Sequence, residues 1–426
     1  MSVTPTRGTR GPSRTKPISY EEASLRFSPA LALIAAGSLE RELHRELPFE
    51  AVDTLDELGF GALRVPTEYG GAGATVETLV RILIDVAEAD SNVAQLYRSH
   101  LGFVESLRFQ RAERQDYWYP RVVAGETVGN ASTERGGNAL GSLNTTLRQG
   151  GGGWEVSGTK FYSTGTIFSD HTRVSAAHPD GPGRRFAVVP TDAAGVSIED
   201  DWDGFGQRLT GTGTTTFDRV RVPPEALFEC AENSPESVHE SAFFQLVLLA
   251  VLAGIARAAR RDAVATIAVR KRTFNTGSGV PFREDPLIQE AVGRLSAKAF
   301  GAEAAVLAAA RALDEALAAL ALAGADQHDF QGQPPYELIL GEIAVEQAQV
   351  LVPELALGAA QQLFETVGAS ATSTSKGLDR HWRNAQTIAT HNPLSFRARS
   401  VGDFHLNGTL PEALTAIGDA APRGRR

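Results

Sequence analysis

The stretch FGALRVPTEYGGAGAT, residues 60–75, predicts a turn-rich loop between two helical segments. Pro66 and three glycines within it disfavour a regular helix and permit tight turns. On either side, apolar residues recur at spacings of three and four, which is typical of amphipathic helices. They are Leu47, Val52, Leu55 and Leu58 before the loop, and Leu79, Ile82, Leu83 and Val86 after it. We therefore expect helices from about Ser19 to Thr127.

After Gly129 the apolar residues alternate with polar ones, which predicts β-strands. The pattern occurs in WEVSGTKFYSTG at residues 154–165, RFAVVP at 185–190 and TTTFDRVRVP at 214–223. Glycine-rich turns separate these segments. We interpret residues 129–234 as one β domain of ordinary size.

Residues 235–413 are again helical and rich in Ala and Leu. Three long helices are expected at Phe243–Val269, Pro286–Leu322 and Tyr336–Val367. The fold class is thus α+β, with helical domains at 19–128 and 235–413 around the β domain, and tails at 1–18 and 414–426. The long apolar helices exceed what one thin bundle buries, so a homo-oligomer is expected.

Charge and cysteine content exclude several functions. In 426 residues, 41 Lys and Arg against 51 Asp and Glu give a net charge of −10 and a pI near 5.5, which disfavours nucleic acid and anionic membranes. The apolar run Phe243–Ala256 is shorter than the about 20 residues that span a bilayer. Cys230 is the only cysteine, so no intrachain disulfide or thiolate metal cluster is expected, consistent with the cytoplasm. No histidine pair has metal-ligand spacing beside a carboxylate, so no metal is expected.

The segment HWRNAQTIATHNP, residues 381–393, concentrates polar and aromatic side chains near the end of the second helical region. By itself it is compatible with a helix end, because Arg and His favour the C-terminal dipole and Pro often follows a helix. A chemical role depends on what else the chain contains.

Taken together, the motifs resemble those of the acyl-CoA dehydrogenase superfamily. The loop at 60–75 is similar to its opening signature, and NASTERGGNALGS at 130–142 stands where the superfamily has a flavin-contacting Thr-Glu-Pro, with Arg135 in place of Pro. GTKFYSTGTIFSD at 158–170 is similar to the strand beside the isoalloxazine, and FGQRLTGTGTTTFDRVRVP resembles the segment that closes the β domain. The resemblance implies an acyl-CoA dehydrogenase-like fold: an N-terminal helical domain, a central β-barrel-like domain and a C-terminal four-helix-bundle-type domain. It also implies that the homo-oligomer is a dimer or tetramer.

The chain departs from the dehydrogenases at the catalytic base. Abstraction of a substrate α-proton needs a carboxylate, either in the C-terminal loop or on the first long helix of the C-terminal domain. Alignment places His391 at or beside the first position, and Phe244 or Gln245 at the second. Glu365 is an alternative base, but we expect it on a solvated helix face.

A better match is the branch typified by dibenzothiophene monooxygenase. Its active-site His matches His100 in YRSHLGF, its Gly-Asn-Ala-Ser stretch matches Asn130, its strand Ser matches Thr164 with Ser163 adjacent, and its Asp-Asp-Trp matches Trp202. Its Trp-Arg-Asn…His-Asp-Pro matches residues 382–393, with Asn392 in place of Asp. The resemblance implies a two-component monooxygenase that uses reduced FMN and O₂, through a C4a-hydroperoxyflavin, to oxygenate a small, sulfur-containing substrate such as a dibenzothiophene or a sulfone.

The site implied by this resemblance combines flavin contacts with proton handling. His391 is expected to handle the peroxide proton, because an imidazole with a pKa of about 6.5 can donate and accept near neutrality. His100 and Asn130 would hold the peroxide or the ring. Flavin contacts are expected from hydroxyls, from a stacking indole and from arginines near phosphate, namely Asn130, Ser132, Thr133, Ser163, Thr164, Trp202, Arg270, Arg272 and Arg383. Arg270 and Arg272 equally fit a helix C-terminus, or a phosphate bound at a neighbouring subunit.

Several alternatives stay open on the sequence. FAD is the alternative to FMN, and the reduced flavin is expected from a separate NAD(P)H-dependent reductase, because no strand–Gly-loop–helix unit for NAD(P) is present. The chain is otherwise a dehydrogenase with an unrecognised base, a hydroxylase of nitrogen or of aromatic rings on the same fold, or a relative that has lost the flavin. The sequence leaves the substrate itself unnamed.

Overall fold

The computed structural model describes residues 16–136, 142–150, 153–177, 184–229, 234–273, 276–323 and 334–411. The predicted tails fall mostly outside these ranges, as do residues 137–141 of the Asn130–Ser142 motif and Cys230. Within them, a β-sheet region separates an N-terminal from a C-terminal helical region along the chain, in agreement with the predicted α+β class.

Six helices form the N-terminal region. Ser19 begins the first with a capping box, its hydroxyl accepting from the Glu22 N–H while the Glu22 carboxylate accepts from the Ser19 N–H. The loop at 60–75 ends at Thr75, which caps the third, and Gly70 and Gly73 adopt positive φ as the turn prediction requires. The helices are α1 Tyr20–His44, α2 Phe49–Glu57, α3 Val76–Ala89, α4 Ser91–Leu96, α5 Arg98–Ser106 and α6 Ala112–Val123.

Eight strands form the central sheet in the order β6-β7-β3-β2-β4-β5-β8, and β1 pairs in parallel with β4. A separate antiparallel bridge between Thr133 and Phe161 brings the chain after β1 beside the chain after β3. The strands are β1 Val128–Ala131, β2 Thr146–Gly150, β3 Gly153–Lys160, β4 His171–Ala177, β5 Arg184–Pro190, β6 Val196–Ile198, β7 Thr215–Val222 and β8 Leu227–Glu229.

The C-terminal region has three long helices and two shorter ones. The long helices match the predicted stretches, except that α7 begins eight residues earlier, at Pro235, where Ser234 provides the N-cap. The helices are α7 Pro235–Ala268, α8 Pro286–Ala323, α9 Tyr336–Val367, α10 Arg380–Ala389 and α11 Leu394–Asn407. The largest apolar core joins them to the N-terminal helices, because α3 packs against α7 and α8.

Helix α7 is apolar and long enough to cross a membrane, but 83% of its most apolar window is buried inside the protein. This is the behaviour of a core helix, as the sequence predicted.

Candidate active site

The segments that follow β1 and β3 meet where these two strands end. The Phe161 N–H donates to the Thr133 carbonyl at 2.9 Å, which ties them together. The Lys160 ammonium is buried beneath this junction, 2.7 Å from a Glu134 carboxylate oxygen and 3.3 Å from the Ser132 carbonyl. A buried ion pair with further hydrogen bonds holds the two segments in one register.

Glu134 belongs to the Thr-Glu part of the flavin motif, yet its carboxylate faces Lys160 and two backbone N–H groups, of Asn144 and Thr145. Despite the opposing effect of burial, these donors lower its pKa to about 2. Burial lowers the pKa of Lys160 to about 8. The sequence analysis missed Lys160, although a Lys in an otherwise half-buried strand three residues before Ser163 was a usable signal.

The predicted hydroxyls lie along this junction. Ser163 is 1% exposed, its backbone N–H donates to the Gly213 carbonyl at 2.9 Å, and its Oγ has no protein partner. Thr164 shares a hydrogen bond with Thr212, whose hydroxyl is 2.8 Å away. Ser132 donates to the side-chain oxygen of Asn130 at 2.9 Å. The unpartnered Ser163 hydroxyl fits a ligand with ring carbonyls or nitrogens, because a buried hydroxyl without a partner is costly.

Trp202 lies on the loop before β7 and contacts the same junction. Its ring meets Tyr162 edge to face, with centroids 6.0 Å apart, and its Nε1–H donates to the Gly206 carbonyl at 3.2 Å. The indole is therefore fixed in orientation and half-buried beside the segment that contains Ser163. This position is compatible with its predicted role as an aromatic wall.

The Trp-Arg-Asn part of the 381–393 segment fastens this loop to α10. Trp382 stacks on Phe205 with 5.9 Å between centroids, and the Asn384 side-chain oxygen accepts from the Gln207 N–H at 2.7 Å. Arg383 donates to the Phe205 carbonyl at 2.8 Å. The motif therefore connects the flavin loop to the C-terminal helices.

The contact of Arg383 with the cofactor stays a prediction, and the structure gives this guanidinium two carboxylate partners. The Arg383 guanidinium lies 2.8 Å from Glu42 and 2.8 Å from Asp379, so two carboxylates already compensate its charge. A phosphate would have to displace them. Arg383 is a positioning residue for the loop.

His100, which was predicted to hold the peroxide or the ring, has a protein partner at each ring nitrogen. Its Nε2–H donates to the Gly61 carbonyl at 3.1 Å, and its Nδ1 accepts from the Val128 N–H at 3.2 Å. Gly61 is required for this approach, because a Cβ there would lie 2.5 Å from Nε2. Neither nitrogen is free for a peroxide, and burial lowers the pKa of His100 to about 4, so the ring is neutral. His100 joins α5 to the 60–75 loop and to β1.

His391 lies in the turn between α10 and α11, where it lines a narrow crevice that opens to solvent. The residue is exposed, yet it is surrounded by protein on the crevice walls. This crowding, with the nearby Arg98 guanidinium, lowers the pKa of His391 below its usual value. The lowered pKa favours the neutral imidazole at pH 7, and the role of His391 in proton transfer stays a prediction.

Amides line the crevice beside His391. The Asn392 side-chain N–H donates to the Gln245 side-chain oxygen at 2.8 Å, and Gln349 donates to the same oxygen at 3.3 Å. Gln245 occupies the alternative base position. Glu365 is exposed on α9, as predicted, so no carboxylate stands at either position. Leu248, Leu249 and Leu252 form an apolar wall of the crevice.

The two predicted arginines after α7 differ in their surroundings. Arg270 packs over the Phe282 ring, 3.9 Å from its centroid, and donates to the Val367 carbonyl. Arg272 is exposed. A contact from either residue to a phosphate stays a prediction. Among the described residues, no three His, Cys, Asp or Glu side chains are grouped as a metal site would need.

Comparison with known families agrees with this architecture. Models of the acyl-CoA dehydrogenase N-terminal, middle and C-terminal domains match residues 32–126, 130–220 and 246–396. The dibenzothiophene monooxygenase of Rhodococcus qingshengii is 30% identical over 370 residues, which are 83% of this chain and 85% of the relative. The probable FMNH₂-dependent monooxygenase SfnC of Pseudomonas putida is 29% identical over 90% of this chain and 96% of its own.

Solved structures show the same similarity. TdsC from Paenibacillus sp. A11-2 with FMN and indole has a TM-score of 0.82 at 27% identity, covering 93% of this chain and 99% of TdsC. The methanesulfinate monooxygenase MsuC of Pseudomonas fluorescens has a TM-score of 0.81 at 29% identity, covering 92% and 98%. The chain belongs to the acyl-CoA dehydrogenase family and, within it, to the branch of FMN-using monooxygenases.

Proposed function

We propose that this protein is the oxygenase of a two-component system, which takes reduced FMN from a separate reductase and uses O₂ to oxygenate a small sulfur-containing substrate. The observation that favours an oxygenase over a dehydrogenase is the pair of predicted base positions, where His391 and either Phe244 or Gln245 stand in place of a carboxylate. The FMNH₂ dependence of SfnC supports the reduced cofactor. We retain the cytoplasm as the predicted location.

The donor set at the sheet edge fits FMN. When bound, reduced FMN supplies two electrons and the reactivity toward O₂. Ser163 and Thr164 would donate hydrogen bonds to the ring, and Asn130, Ser132 and Thr133 would line the same edge. Trp202 and Tyr162 would exclude water, which protects a reactive intermediate from hydrolysis.

His391 would act on the proton at the reacting centre. As a neutral imidazole it offers one N–H donor and one acceptor nitrogen, so it can transfer a proton and return to its neutral form. The amides of Asn392, Gln245 and Gln349 fix the turn that presents it.

Substitution of His391 by alanine tests this assignment. With reductase, NADH, FMN and dibenzothiophene or methanesulfinate present, we expect wild type to form product and His391→Ala to form about 10²–10⁴-fold less. O₂ consumption should continue with release of H₂O₂, and the melting temperature should change little because the side chain is exposed. Product per O₂ consumed is the measurement.

His44→Ala is the matched control, since His44 is an exposed histidine on α1, and a mixture without reductase tests the two-component assignment. Unchanged coupling in His391→Ala would remove its chemical role. Turnover with NADH in the absence of reductase would contradict the two-component system, and bleaching of oxidised flavin by an acyl-CoA would indicate a dehydrogenase.

A further inference from the structure

Arg98, the first residue of α5, has a fixed position against α7. Its Nε–H donates to the Phe244 carbonyl at 3.1 Å, and its guanidinium carbon lies 4.7 Å from the centre of the Phe244 ring. Gly102, one turn later, faces the same ring, because a Cβ there would be 2.3 Å from the Phe244 Cζ. Phe244 is thus held against α5, and the Arg98 guanidinium is held with it.

The charge of Arg98 is compensated only in part, by the more distant Glu240 carboxylate, which itself pairs with Arg173. Among the residues that the structure describes, no carboxylate lies within 4.0 Å of its guanidinium, whereas the buried guanidinium of Arg64 is bonded to Glu105 at 2.6 Å. Two terminal nitrogens of Arg98 have no hydrogen-bond partner within that part of the chain. Burial, partly offset by Glu240, lowers the pKa of Arg98 to about 10, so it is still a cation at neutral pH. A half-buried cation without a close counter-ion is costly unless a ligand supplies one.

Arg98 is one residue of α7 away from the crevice, because it binds Phe244 and the adjacent Gln245 lines the crevice wall. Phe244 precedes Gln245 on α7, Gln245 is bonded to Asn392, and Asn392 follows His391. The surrounding protein lowers the pKa of His391 most, and the nearby Arg98 guanidinium lowers it further. An anion paired with Arg98 would therefore lie close to the imidazole.

We propose that Arg98 binds the acidic head group of the substrate, so that this protein acts on small organic anions, with an alkanesulfinate as the simplest sulfur case. The inference rests on the proposed function and narrows it. The relatives leave substrate charge open, because dibenzothiophene is neutral and methanesulfinate is an anion. Here the partly compensated guanidinium favours the anion, which it can bind through two parallel N–H···O bonds.

The overall reaction balances as RSO₂⁻ + O₂ + FMNH₂ → RSO₃⁻ + FMN + H₂O. Sulfur gains one oxygen atom and loses two electrons, FMNH₂ loses two more, and the four reduce O₂. The new S–O bond forms as the O–O bond breaks, and the second oxygen leaves as water with the two hydrogens of FMNH₂.

The experiment compares anionic and neutral sulfur compounds of matched size, methanesulfinate with dimethyl sulfoxide and benzenesulfinate with methyl phenyl sulfoxide. Wild type, Arg98→Gln and Arg98→Lys are each loaded with oxidised FMN, and binding is measured by calorimetry. KM for each compound is then measured with reductase, and the Kd of FMN by quenching of its fluorescence. Arg121→Gln is the control, because Arg121 is another half-buried arginine over an aromatic ring, 3.7 Å from the centre of Tyr117.

We expect Arg98→Gln to weaken sulfinate binding and raise its KM about 10- to 100-fold, the range for loss of a charged hydrogen bond. Arg98→Lys should recover part of the affinity, while the KM of the sulfoxides and the Kd of FMN change less than about threefold. If Arg98→Gln instead weakens FMN binding, Arg98 contacts the flavin phosphate and the proposal is wrong. It is equally wrong if wild type binds only the neutral compounds. If Arg98 binds sulfinates but no compound is oxygenated, the anion site is supported and the proposed function is contradicted.

Discussion

At the scale of single residues, substitution of Ser163 tests whether its hydroxyl contacts the cofactor or only supports the fold. Because its Oγ has no partner in the protein, Ser163→Ala removes no hydrogen bond from the flavin-free protein. We expect its melting temperature to stay the same or rise slightly, and the Kd of FMN to increase about 5- to 15-fold, as loss of one hydrogen bond predicts.

Thr215→Val is the matched control, since Thr215 is also fully buried, with an unpartnered hydroxyl on β7. It should leave the Kd of FMN unchanged. Thermal unfolding with and without FMN, together with fluorescence titration, measures both quantities. Equal FMN binding by wild type and Ser163→Ala would show that the orphan hydroxyl does not face the flavin.

Single residues also show why part of the site could not be predicted from the sequence. Ser163, Thr164 and Trp202 could be proposed because their motifs lie in short contiguous segments, and the structure brings those segments together. The partners of His100 and Arg383 come from distant segments, 39 residues away for Gly61 and 341 for Glu42. Which nitrogen of His100 has a partner and how the charge of Arg383 is compensated depend on such contacts, which no motif within one segment shows.

At the scale of elements, α10 holds the flavin loop through Asn384. This side chain is 3% exposed, accepts from the Gln207 N–H and donates to the Ser91 hydroxyl at 3.1 Å, so it links α10, α4 and the loop. Asn384→Ala leaves buried polar groups without partners. We expect it to lower the free energy of unfolding by about 2 kcal/mol and to weaken FMN binding.

Denaturant unfolding and FMN titration measure these effects, with Asn407→Ala, an exposed asparagine on α11, as the control that should change stability by less than about 0.5 kcal/mol. Normal FMN affinity in a destabilised Asn384→Ala protein would mean that the loop keeps its shape without the anchor.

The elements themselves were largely predictable. Apolar spacing indicated the three long helices because each buries one face against the others, and alternation indicated strands such as β5 and β7. Strand order was not predictable, since β3 lies between β2 and β7 through pairings up to 68 residues apart, as between Trp154 and Val222. The early start of α7 was missed because the first residues of the helix, PESVHESA, are polar and only Ser234 marks the N-cap.

At the scale of the whole molecule, the three-part architecture followed from the order of helical and alternating patterns, whereas the domain boundaries stay predictions. The crevice is formed within the C-terminal region by α7, α9, α10 and the turn before α11, and no periodicity in one helix shows what the others present to it. His391 was found through motif alignment, but Arg98 was missed because its significance arises only where α5 meets α7.

The outer face of α8 predicts how many copies assemble. Phe300 and Leu322 are 72% and 89% exposed and lie on one side of the helix, with Ala304, Ala308 and Ala318 between them and the charged Arg311 and Glu315 on the same side. On α9, Tyr336, Leu340 and Leu351 form a second exposed apolar stripe. Such surfaces are uncommon on monomers, so we expect a second copy to cover them.

Light scattering after size exclusion should give a multiple of 45.4 kDa. A Phe300→Glu, Leu322→Glu double variant should shift toward the mass of one copy, because association would bury the new charges. Leu25→Glu, a like change on α1 where Leu25 is 80% exposed, is the control and should keep the wild-type mass. A wild-type mass of one chain at micromolar concentration would contradict the predicted homo-oligomer.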